Sequence, residues 1–367
     1  MTDESYMKLA LEYAKKGCGR VGPNPMVGAV VVKDGRVIGA GWHRRYGGPH
    51  AERDALARCT EPPRGATLYV NLEPCCHTGK TPPCTDAILE SGVRRVVIGS
   101  VDPNPLVAGN GIRILRRHGI EVTEDVLNGE CRALNEVFFH FIRTKTPYVV
   151  MKYAMTMDGK TATRSGGSKW ITGEAARRRV QEDRNRYSGI LVGVGTVLAD
   201  DPLLTCRLPE SRNPVRIICD SRFRTPTEAR VVRTAGQVPT VLAACSSDEI
   251  RARPYREAGC GVLTLPPRDG RVDLRELMAA LGEKGIDSVL LEGGGTLNWS
   301  ALQSGVVNKV QAYVAPKLFG GAQAKSPVGG TGVEQPDRAF RLAPPRVTRL
   351  GGDILLESEV LPCSQGS

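Results

Sequence analysis

Two short segments, His50-Ala51-Glu52 and Pro74-Cys75-Cys76-His77-Thr78-Gly79-Lys80-Thr81-Pro82-Pro83-Cys84, decide the fold of the first half of this chain. One histidine and two cysteines can hold a zinc ion, and three protein ligands leave its fourth position open for water. Zinc lowers the pKa of such a water to roughly 7. A carboxylate two residues after the histidine is placed to move protons, a combination typical of deaminases that act on nucleobase-like amines.

Either Cys75 or Cys76 is the first cysteine ligand. Adjacent cysteines favour only one ligand, and Cys75 is the better candidate because it follows a proline, as in the general deaminase pattern. A structural zinc ribbon is the alternative, but such sites usually repeat short Cys-x-x-Cys pairs, whereas eight residues separate Cys75 from Cys84. We therefore expect His50, Cys75 and Cys84 to bind a catalytic zinc ion, with Glu52 as the catalytic proton carrier.

The length and composition indicate what class of protein this is. A length of 367 residues predicts two domains, and 41% hydrophobic with 24% charged residues is typical of a soluble globular protein. The apolar runs are far shorter than the about 20 residues needed to cross a bilayer, so no membrane association is expected. The start, Met1-Thr2-Asp3-Glu4-Ser5, does not resemble a secretory signal. Eleven cysteines in such a chain favour reduced thiols and a cytoplasmic location.

The net charge of +11 would suit a protein that binds nucleic acid. Basic clusters such as Arg177-Arg178-Arg179 lack interleaved aromatic residues, and only 5% of the chain is aromatic, which is poor material for stacking single-stranded bases. We therefore expect no nucleic-acid partner and assign the charge to solvated surface and to attraction of small phosphorylated ligands. The alternative is an RNA-acting (tRNA) zinc deaminase with a basic accessory domain, which would bind tRNA in a salt-sensitive way.

Strand and helix patterns alternate along both halves, which predicts an α/β fold. Asp34-Gly35 predicts a hairpin. The polar segment 143–147 ends in a proline, so we place the domain boundary there, with domains at 1–144 and 147–360 and a tail at 361–367. The predicted elements are helices at 3–17, from His50, from Cys84 and at 174–187, and strands at 27–32, 37–39, 67–70, 94–98, 148–156 and 189–194.

The strongest local signal of the second half is the run Ser288-Val289-Leu290-Leu291-Glu292-Gly293-Gly294-Gly295-Thr296-Leu297-Asn298. An apolar strand leads through three glycines into a helical pattern, the layout used for phosphate binding at a helix N-terminus. Glycines let backbone N–H groups approach an anion closely. The run matches neither a Walker loop nor the spaced dinucleotide fingerprint, so a plain tight turn remains an equal alternative.

The long loop between Cys75 and Cys84 resembles that of the bifunctional riboflavin-biosynthesis deaminase–reductases, the RibD/RibG family. The resemblance implies a cytidine-deaminase-like α/β/α first domain with one zinc ion on His50, Cys75 and Cys84. It also implies that Glu52 carries the proton from water to the departing ammonia. It extends through Gly22-Pro23-Asn24-Pro25-Met26-Val27-Gly28, Gly41-Trp42-His43, Asp102-Pro103-Asn104-Pro105 and Gly109-Asn110-Gly111-Ile112.

The same resemblance implies a substrate for the first domain, 2,5-diamino-6-ribosylamino-4(3H)-pyrimidinone 5′-phosphate. Lys80 suits a phosphate because it carries a charged donor. Asn24 lies between two prolines, so a plain turn role is the alternative for it. The residues expected to line this pocket are Asn24, His43, His77, Lys80, Asp102 and Asn104.

Segments of the second half resemble the reductase domain of the same family. This domain is similar in fold to dihydrofolate reductase, and the resemblance implies that it uses NADPH to reduce the ribosyl group to ribityl. Such a hydride transfer requires the protein mainly to position two reactants. The segments that carry the resemblance are Met151-Lys152-Tyr153-Ala154-Met155-Thr156-Met157-Asp158-Gly159-Lys160, Ser168-Lys169-Trp170-Ile171-Thr172 and 195–205.

The resemblance also implies the contacts in this half. Ser168, Arg184 and Arg207 suit a phosphate clamp because guanidinium forks match phosphate oxygens; a solvated helix face is the alternative for Arg184, and a core position for Trp170. Arg222 is our own candidate for reading the NADPH 2′-phosphate, and we expect a homo-oligomer. The implied substrate contacts are Lys152, Ser168, Arg184, Leu204, Arg207 and Glu292, and the implied NADPH contacts are Ala154, Trp170, Thr196, Asp200, Ser221, Gly294, Gly295, Thr296 and Leu297.

Overall fold

The structure is a computed structural model that describes residues 1–78 and 82–362. Lys80 and residues 363–367 of the predicted tail lie outside these described residues. The chain divides into two compact units, Met1–Lys145 and Thr146–Ser367. None of the described helices combines the length and the apolar character that a membrane span requires.

The first unit alternates helices and strands. Thr2 begins the first helix by accepting a hydrogen bond from the Ser5 N–H, and the helix ends at Lys15, two residues before the predicted end at Gly17. In chain order the elements are α1 (Asp3–Lys15), β1 (Gly28–Lys33), β2 (Arg36–Trp42), α2 (Ala51–Ala57), β3 (Thr67–Val70), α3 (Cys84–Ser91), β4 (Arg95–Ile98), α4 (Asn110–Arg117), β5 (Glu121–Thr123), α5 (Asn128–Leu134) and α6 (Glu136–Thr144).

The five strands of this unit form one sheet in the order β2-β1-β3-β4-β5. The predicted hairpin joins β1 to β2, and Asp34 and Gly35 both have positive φ, as a two-residue hairpin turn requires. β3, β4 and β5 are parallel. Side chains of β1 alternate between two cores: Val30 packs with α1 on one face, and Val31 packs with α2 and α3 on the other. The sheet is therefore covered on both faces.

The second unit is built on a larger sheet. Its elements in chain order are β6 (Tyr148–Thr156), α7 (Glu174–Arg186), β7 (Gly189–Gly193), α8 (Val194–Asp200), β8 (Val215–Cys219), α9 (Arg230–Arg233), β9 (Thr240–Ala244), α10 (Glu249–Glu257), β10 (Gly261–Thr264), β11 (Pro267–Arg268), β12 (Arg271–Val272), α11 (Leu274–Glu283), β13 (Ser288–Leu291), α12 (Gly295–Gln303), β14 (Lys309–Ala315), a short 3₁₀ helix (Pro336–Arg338), β15 (Arg346–Leu350) and β16 (Asp353–Glu359).

Nine strands of this unit pair in the order β10-β9-β8-β7-β13-β6-β14-β16-β15. Strands β10 to β14 in this order are parallel, and the last two are antiparallel. Central parallel strands are buried on both faces, which explains the continuous apolar runs of β7 and β13. The loops that follow their carboxyl ends meet at one edge of the sheet, where open α/β sheets bind ligands.

Candidate active sites

The imidazole and the carboxylate of the first motif are placed by α2. His50 is the residue before the first turn of this helix, and Glu52 lies within that turn with 3% of its surface exposed. The helix approaches β2 very closely: a Cβ on Gly41 would lie 2.3 Å from the Ala55 nitrogen. Glycine at that position therefore lets α2 pack against the sheet and brings His50 to its edge.

The two cysteines reach His50 from different elements. Cys84 is the first residue of α3, and Cys75 lies in the loop after β3. His50 Nδ1 lies 3.4 Å from Cys75 Sγ and 3.3 Å from Cys84 Sγ. A tetrahedral zinc ion, with bonds of about 2.3 Å to sulfur and about 2.0 Å to nitrogen, separates such atoms by about 3.5 Å. The three residues therefore fit zinc in both donor chemistry and spacing.

The neighbouring Cys76 points elsewhere. Its Sγ lies 3.7 Å from the Leu106 carbonyl oxygen, and the candidate metal cluster found among the described residues consists of His50, Cys75 and Cys84. The structure thus gathers the residues that the sequence favoured and separates Cys76 from them.

Burial and neighbouring charge set the proton affinity of this site. Burial, followed by the charge of Cys75, raises the pKa of Glu52 to about 7. The thiol hydrogen bond from Cys84, ahead of the contact with His50, lowers the pKa of Cys75. A carboxyl with such a pKa can both accept and release a proton near neutral pH.

A second histidine lies beside the cluster. The His43 and His50 rings are 5.4 Å apart in an edge-on arrangement. His43 Nδ1 lies 3.0 Å from the Pro49 carbonyl oxygen, an acceptor only, so this nitrogen carries the proton. His43 Nε2 then accepts a hydrogen bond from Asn24 Nδ2 at 3.2 Å. Burial lowers the pKa of His43, which keeps this ring neutral.

Asp102 and Asn104 have local partners. Asp102 Oδ1 accepts from the Asn104 N–H at 2.8 Å, and Asn104 Oδ1 accepts from the Leu106 N–H at 3.2 Å. These bonds shape successive turns. Burial is also the main reason that the pKa of Asp102 rises to about 6, with smaller contributions from Glu73 and Cys75. The Asp102 carboxyl therefore lies near the metal cluster while it stabilises its own loop.

Glu73 was missed by the sequence analysis. Its buried carboxylate accepts backbone N–H bonds from Asp102, Gly109 and Ile112 at 2.9 to 3.2 Å. It therefore fixes the residues before Pro74 to the beginning of α4. The only local sequence signal for this role is a carboxylate directly before Pro-Cys. The N–H groups that it binds lie far along the chain, so the sequence did not identify them.

His77 is partly buried beside the same loop, and its Nδ1 has no hydrogen-bond partner among the described residues. A buried polar nitrogen without a partner is costly unless a ligand or water meets it. His77 is therefore available to a ligand, as the resemblance implies.

In the second unit the structure brings Lys152, Arg184 and Glu292 together. Arg184 Nε and Nη2 donate to the two Glu292 oxygens at 2.8 and 3.0 Å, and Lys152 Nζ lies 3.6 Å from Glu292 Oε2. Arg184 Nη1 donates to the Thr205 carbonyl oxygen at 3.0 Å. The Arg184 fork is thus engaged by a carboxylate, which differs from the expected phosphate clamp. Its side chain is only 15% exposed, which differs from a solvated helix face.

Glu292 keeps its negative charge in this cluster. Burial alone would raise its pKa, but Arg184 and then Lys152 outweigh burial and hold the pKa at about 2. Glu292 is the first residue after β13, so its charge lies at the carboxyl edge of the parallel sheet.

Of the remaining predicted substrate residues, Leu204 and Arg207 lie in the loop after α8. Leu204 is buried and has a φ of 53°, in the left-handed region that leucine rarely adopts. Arg207 is exposed, and its backbone N–H donates to Gln181 Oε1 at 2.9 Å. Ser168 is half-buried in the segment between β6 and α7.

The three glycines lie at the beginning of α12. Gly294 precedes the first turn and Gly295 begins it. A Cβ on Gly295 would lie 3.0 Å from both Gly329 N and Ser326 O, so this position requires glycine. A Cβ on Gly294 would meet Thr196 Oγ1 at 4.0 Å, which places Thr196 across from the helix start. The beginning of α12 therefore packs against residues 326–329 on one side and lies near Thr196 on another.

The other predicted cofactor residues lie on several elements of the second unit. Ser221 Oγ accepts a hydrogen bond from the Val272 N–H at 3.1 Å. Trp170 is 59% exposed, so the core interpretation of this residue is wrong. Trp170 also lies 4.9 Å from the Arg177 guanidinium. The remaining residues of this set are Ala154 and Leu297, partly buried on β6 and α12, Asp200 and Thr296, exposed on α8 and α12, and Arg222, exposed after β8.

Comparison with known proteins identifies both units. Residues 1–100 match the model described as the cytidine and deoxycytidylate deaminase zinc-binding region, and residues 147–356 match the RibD C-terminal domain. Riboflavin biosynthesis protein RibD of Actinobacillus pleuropneumoniae is 55% identical, with 98% of this chain and 96% of that protein covered. The chain belongs to the RibD family.

Solved structures agree over the full length. A diaminohydroxyphosphoribosylaminopyrimidine deaminase/5-amino-6-(5-phosphoribosylamino)uracil reductase from Thermotoga maritima has a TM-score of 0.84 and 42% identity, with 98% of this chain and 99% of that chain covered. RibD from Acinetobacter baumannii has a TM-score of 0.86 and 37% identity, with the same coverage. The predicted α/β class, with a deaminase-like first domain and a reductase second domain, is confirmed.

As a RibD-family member, the protein is a bifunctional enzyme of riboflavin biosynthesis, a zinc-dependent deaminase and an NADPH-dependent reductase that acts on a small molecule. The comparisons give no support to the tRNA-acting alternative. Of the described pocket residues, Asn24 and His43 lie beside His50, and Lys152, Arg184 and Glu292 lie together after β13.

A buried pair near the second site was also missed. Tyr313 donates from its hydroxyl to Asp183 Oδ2 at 3.1 Å, and both side chains are buried. Asp183 precedes Arg184 on α7, so this contact fixes the helix that reaches Glu292. The two residues are far apart in sequence, which leaves no local pattern to find them.

Proposed function

We propose that the first unit deaminates 2,5-diamino-6-ribosylamino-4(3H)-pyrimidinone 5′-phosphate and that the second unit then reduces the ribosyl group of the product to ribityl with NADPH. The observation that carries this proposal is the cluster of His50, Cys75 and Cys84 beside the buried Glu52, in a chain whose second unit matches the RibD C-terminal domain.

In the deaminase unit, zinc held by His50, Cys75 and Cys84 supplies an activated water. Glu52 takes the proton from this water and passes it to the leaving amine, for which the raised pKa of its carboxyl is suited. His43 is a neutral acceptor at Nε2, and Asn24 is oriented by it. The proposed contacts to the base, ribose and phosphate are Asn24, His43, His77, Lys80, Asp102 and Asn104.

In the reductase unit, NADPH supplies the hydride, and the protein positions the two reactants. The N-terminus of α12, which has no side-chain cap, suits the cofactor phosphates. Lys152 lies within reach of the sugar hydroxyls while Glu292 holds its ammonium in place. Contacts to the substrate come from Lys152, Ser168, Arg184, Leu204, Arg207 and Glu292, and contacts to the cofactor from Ala154, Trp170, Thr196, Asp200, Ser221, Gly294, Gly295, Thr296 and Leu297, with Arg222 at the 2′-phosphate.

The two activities belong to two consecutive domains. Residues 1–144 form the deaminase domain, residues 147–360 form the reductase domain, and residues 361–367 form a tail. The family match at 147–356 and the compact units support these boundaries. We further propose that the protein is a cytoplasmic homo-oligomer. We also propose that it has no nucleic-acid partner, since few aromatic residues are available for base stacking.

The test separates the two steps. Purified protein is incubated with the pyrimidine nucleotide, and ammonia release and NADPH absorbance are followed independently. Glu52→Gln should retain zinc and lose ammonia release, yet still oxidise NADPH when the deaminated nucleotide is supplied. Glu61→Gln, which neutralises the partner of the exposed Arg36, is the matched control and should keep both activities. Undiminished ammonia release by Glu52→Gln would refute the assigned role.

A further inference from the structure

Arg216 is the largest fully buried side chain described in the structure, with 0% of its surface exposed, and it lies on β8. Among the described residues, no carboxylate lies within ion-pair distance of it. Burying a guanidinium without an anionic partner is unfavourable, so every donor needs an acceptor. The acceptors of its hydrogen bonds therefore show which segments Arg216 holds together.

Three of the four acceptors of Arg216 belong to the surrounding scaffold. Nε donates to Thr240 Oγ1 at 2.9 Å, Nη1 donates to Thr234 Oγ1 at 2.7 Å, and Nη2 donates to the Val238 carbonyl oxygen at 2.9 Å. These contacts fix the guanidinium plane. The fourth bond runs from Nη1 to the Leu203 carbonyl oxygen at 3.2 Å and leaves the scaffold for the loop after α8.

That loop is held on both sides of Leu204. Arg216 holds the carbonyl of Leu203, and Arg184 holds the carbonyl of Thr205 at 3.0 Å. Between these two anchors Leu204 has a φ of 53°, a conformation that leucine adopts only when its surroundings impose it. Two guanidinium groups therefore impose the backbone conformation of one residue.

The only polar groups of Leu204 that could contact a ligand are those of its backbone. Its side chain packs in the apolar core with Ile218 and Leu242. Among the described residues, none forms a hydrogen bond to the Leu204 N–H or carbonyl group. A contact between Leu204 and a nucleotide would thus be made by backbone groups, whose directions depend on the imposed conformation.

We propose that Arg216 is a positioning residue of the reductase: it holds the Leu203 carbonyl so that the backbone of Leu204 faces the pyrimidine nucleotide. The inference rests on the proposed function, because Leu204 is a substrate contact only there. Arg216 itself touches neither reactant. Its loss should therefore weaken binding of the nucleotide and leave binding of the cofactor intact, because none of the four hydrogen bonds of Arg216 reaches a proposed cofactor contact.

The experiment compares Arg216→Met and Arg216→Lys with the wild-type full-length protein, using the deaminated pyrimidine nucleotide and NADPH. Lysine keeps the charge but lacks the planar fork that reaches the scaffold and Leu203 together. Both variants should raise the KM for the nucleotide about tenfold, which corresponds to about 1.4 kcal/mol. The KM for NADPH and the rate of ammonia release should stay within about twofold of wild type.

Thr234→Val is the matched control, because it removes the other acceptor of Nη1 and leaves the Leu203 contact in place. It should not raise the KM for the nucleotide. An unchanged nucleotide KM in both Arg216 variants would overturn the proposal. So would a uniform loss of all activities, or failure of both variants to fold, since either makes Arg216 a residue of the fold alone. A wild-type protein that does not oxidise NADPH with the nucleotide would instead overturn the proposed function.

Discussion

Replacing Glu292 by glutamine removes the negative charge between Arg184 and Lys152. The carboxyl has a pKa of about 2 in the folded protein, against 4.5 for an ordinary glutamate, and a difference of this size stabilises the folded second unit by about 3 kcal/mol at neutral pH. Because the folded-state pKa is lowered, this contribution is complete above the unfolded value and is lost as the pH falls through the folded value. About 1.4 kcal/mol of it should remain near pH 3.

The measurement is urea unfolding of wild type and Glu292→Gln across this pH range, followed by tryptophan fluorescence. Two of the three tryptophans, Trp170 and Trp299, lie in the second unit and report its transition. Both proteins share every other titrating group, so the difference between their unfolding free energies isolates the contribution of Glu292. Glu182→Gln is the control on α7, the helix that carries Arg184, since it breaks an exposed pair with Arg178 that is worth about 0–1 kcal/mol.

A stability difference that does not shrink as the pH falls would refute this account of Glu292. So would a difference at neutral pH no larger than that of the Glu182→Gln control. Either result would mean that water, rather than Arg184 and Lys152, sets the protonation of this carboxyl.

Three further substitutions test the two sites. Cys84→Ser should lower zinc content measured by atomic absorption, whereas Cys76→Ser should leave it unchanged; equal zinc in both variants would contradict the ligand set. Gly295→Ala should weaken NADPH binding about tenfold, measured by titration, because the added Cβ collides with backbone, while Gly195→Ala meets open space and should bind normally. Tyr313→Phe removes a donor from a buried carboxylate and should lower the unfolding free energy by about 1–3 kcal/mol; unchanged urea unfolding would show that this bond contributes nothing.

The sequence was most informative where a structural rule acts over a few residues. Asp34-Gly35 required a hairpin turn, and His50 and Cys84 lie beside helix starts because short motifs specify them. The ligand set could be predicted for the same reason, since zinc demands particular donor atoms. The choice of Cys75 over Cys76 depended on the general deaminase pattern. The structure supplies the physical reason, since the Cys76 sulfur faces the Leu106 carbonyl.

Contacts between distant segments were not predictable in this way. Arg184 was predicted to bind phosphate because guanidinium forks match phosphate oxygens, but the folded chain brings Glu292 to its fork from 108 residues away. The charges of Asp183 and Arg216 fall on helix and strand positions that give no sign of burial by themselves. Their partners become known only when the order of strands in the sheet is known.

Glu52 and Glu292 show how two α/β domains place two different chemistries on one chain. Both carboxyls are buried, and burial alone raises the pKa of each. Glu52 has thiols and an imidazole around it, so its pKa stays near 7 and it can exchange protons. Glu292 has two cations against its oxygens, so it stays an anion and can only hold other groups in place. The proton-transfer role and the positioning role therefore follow from the neighbours of each glutamate rather than from its residue type.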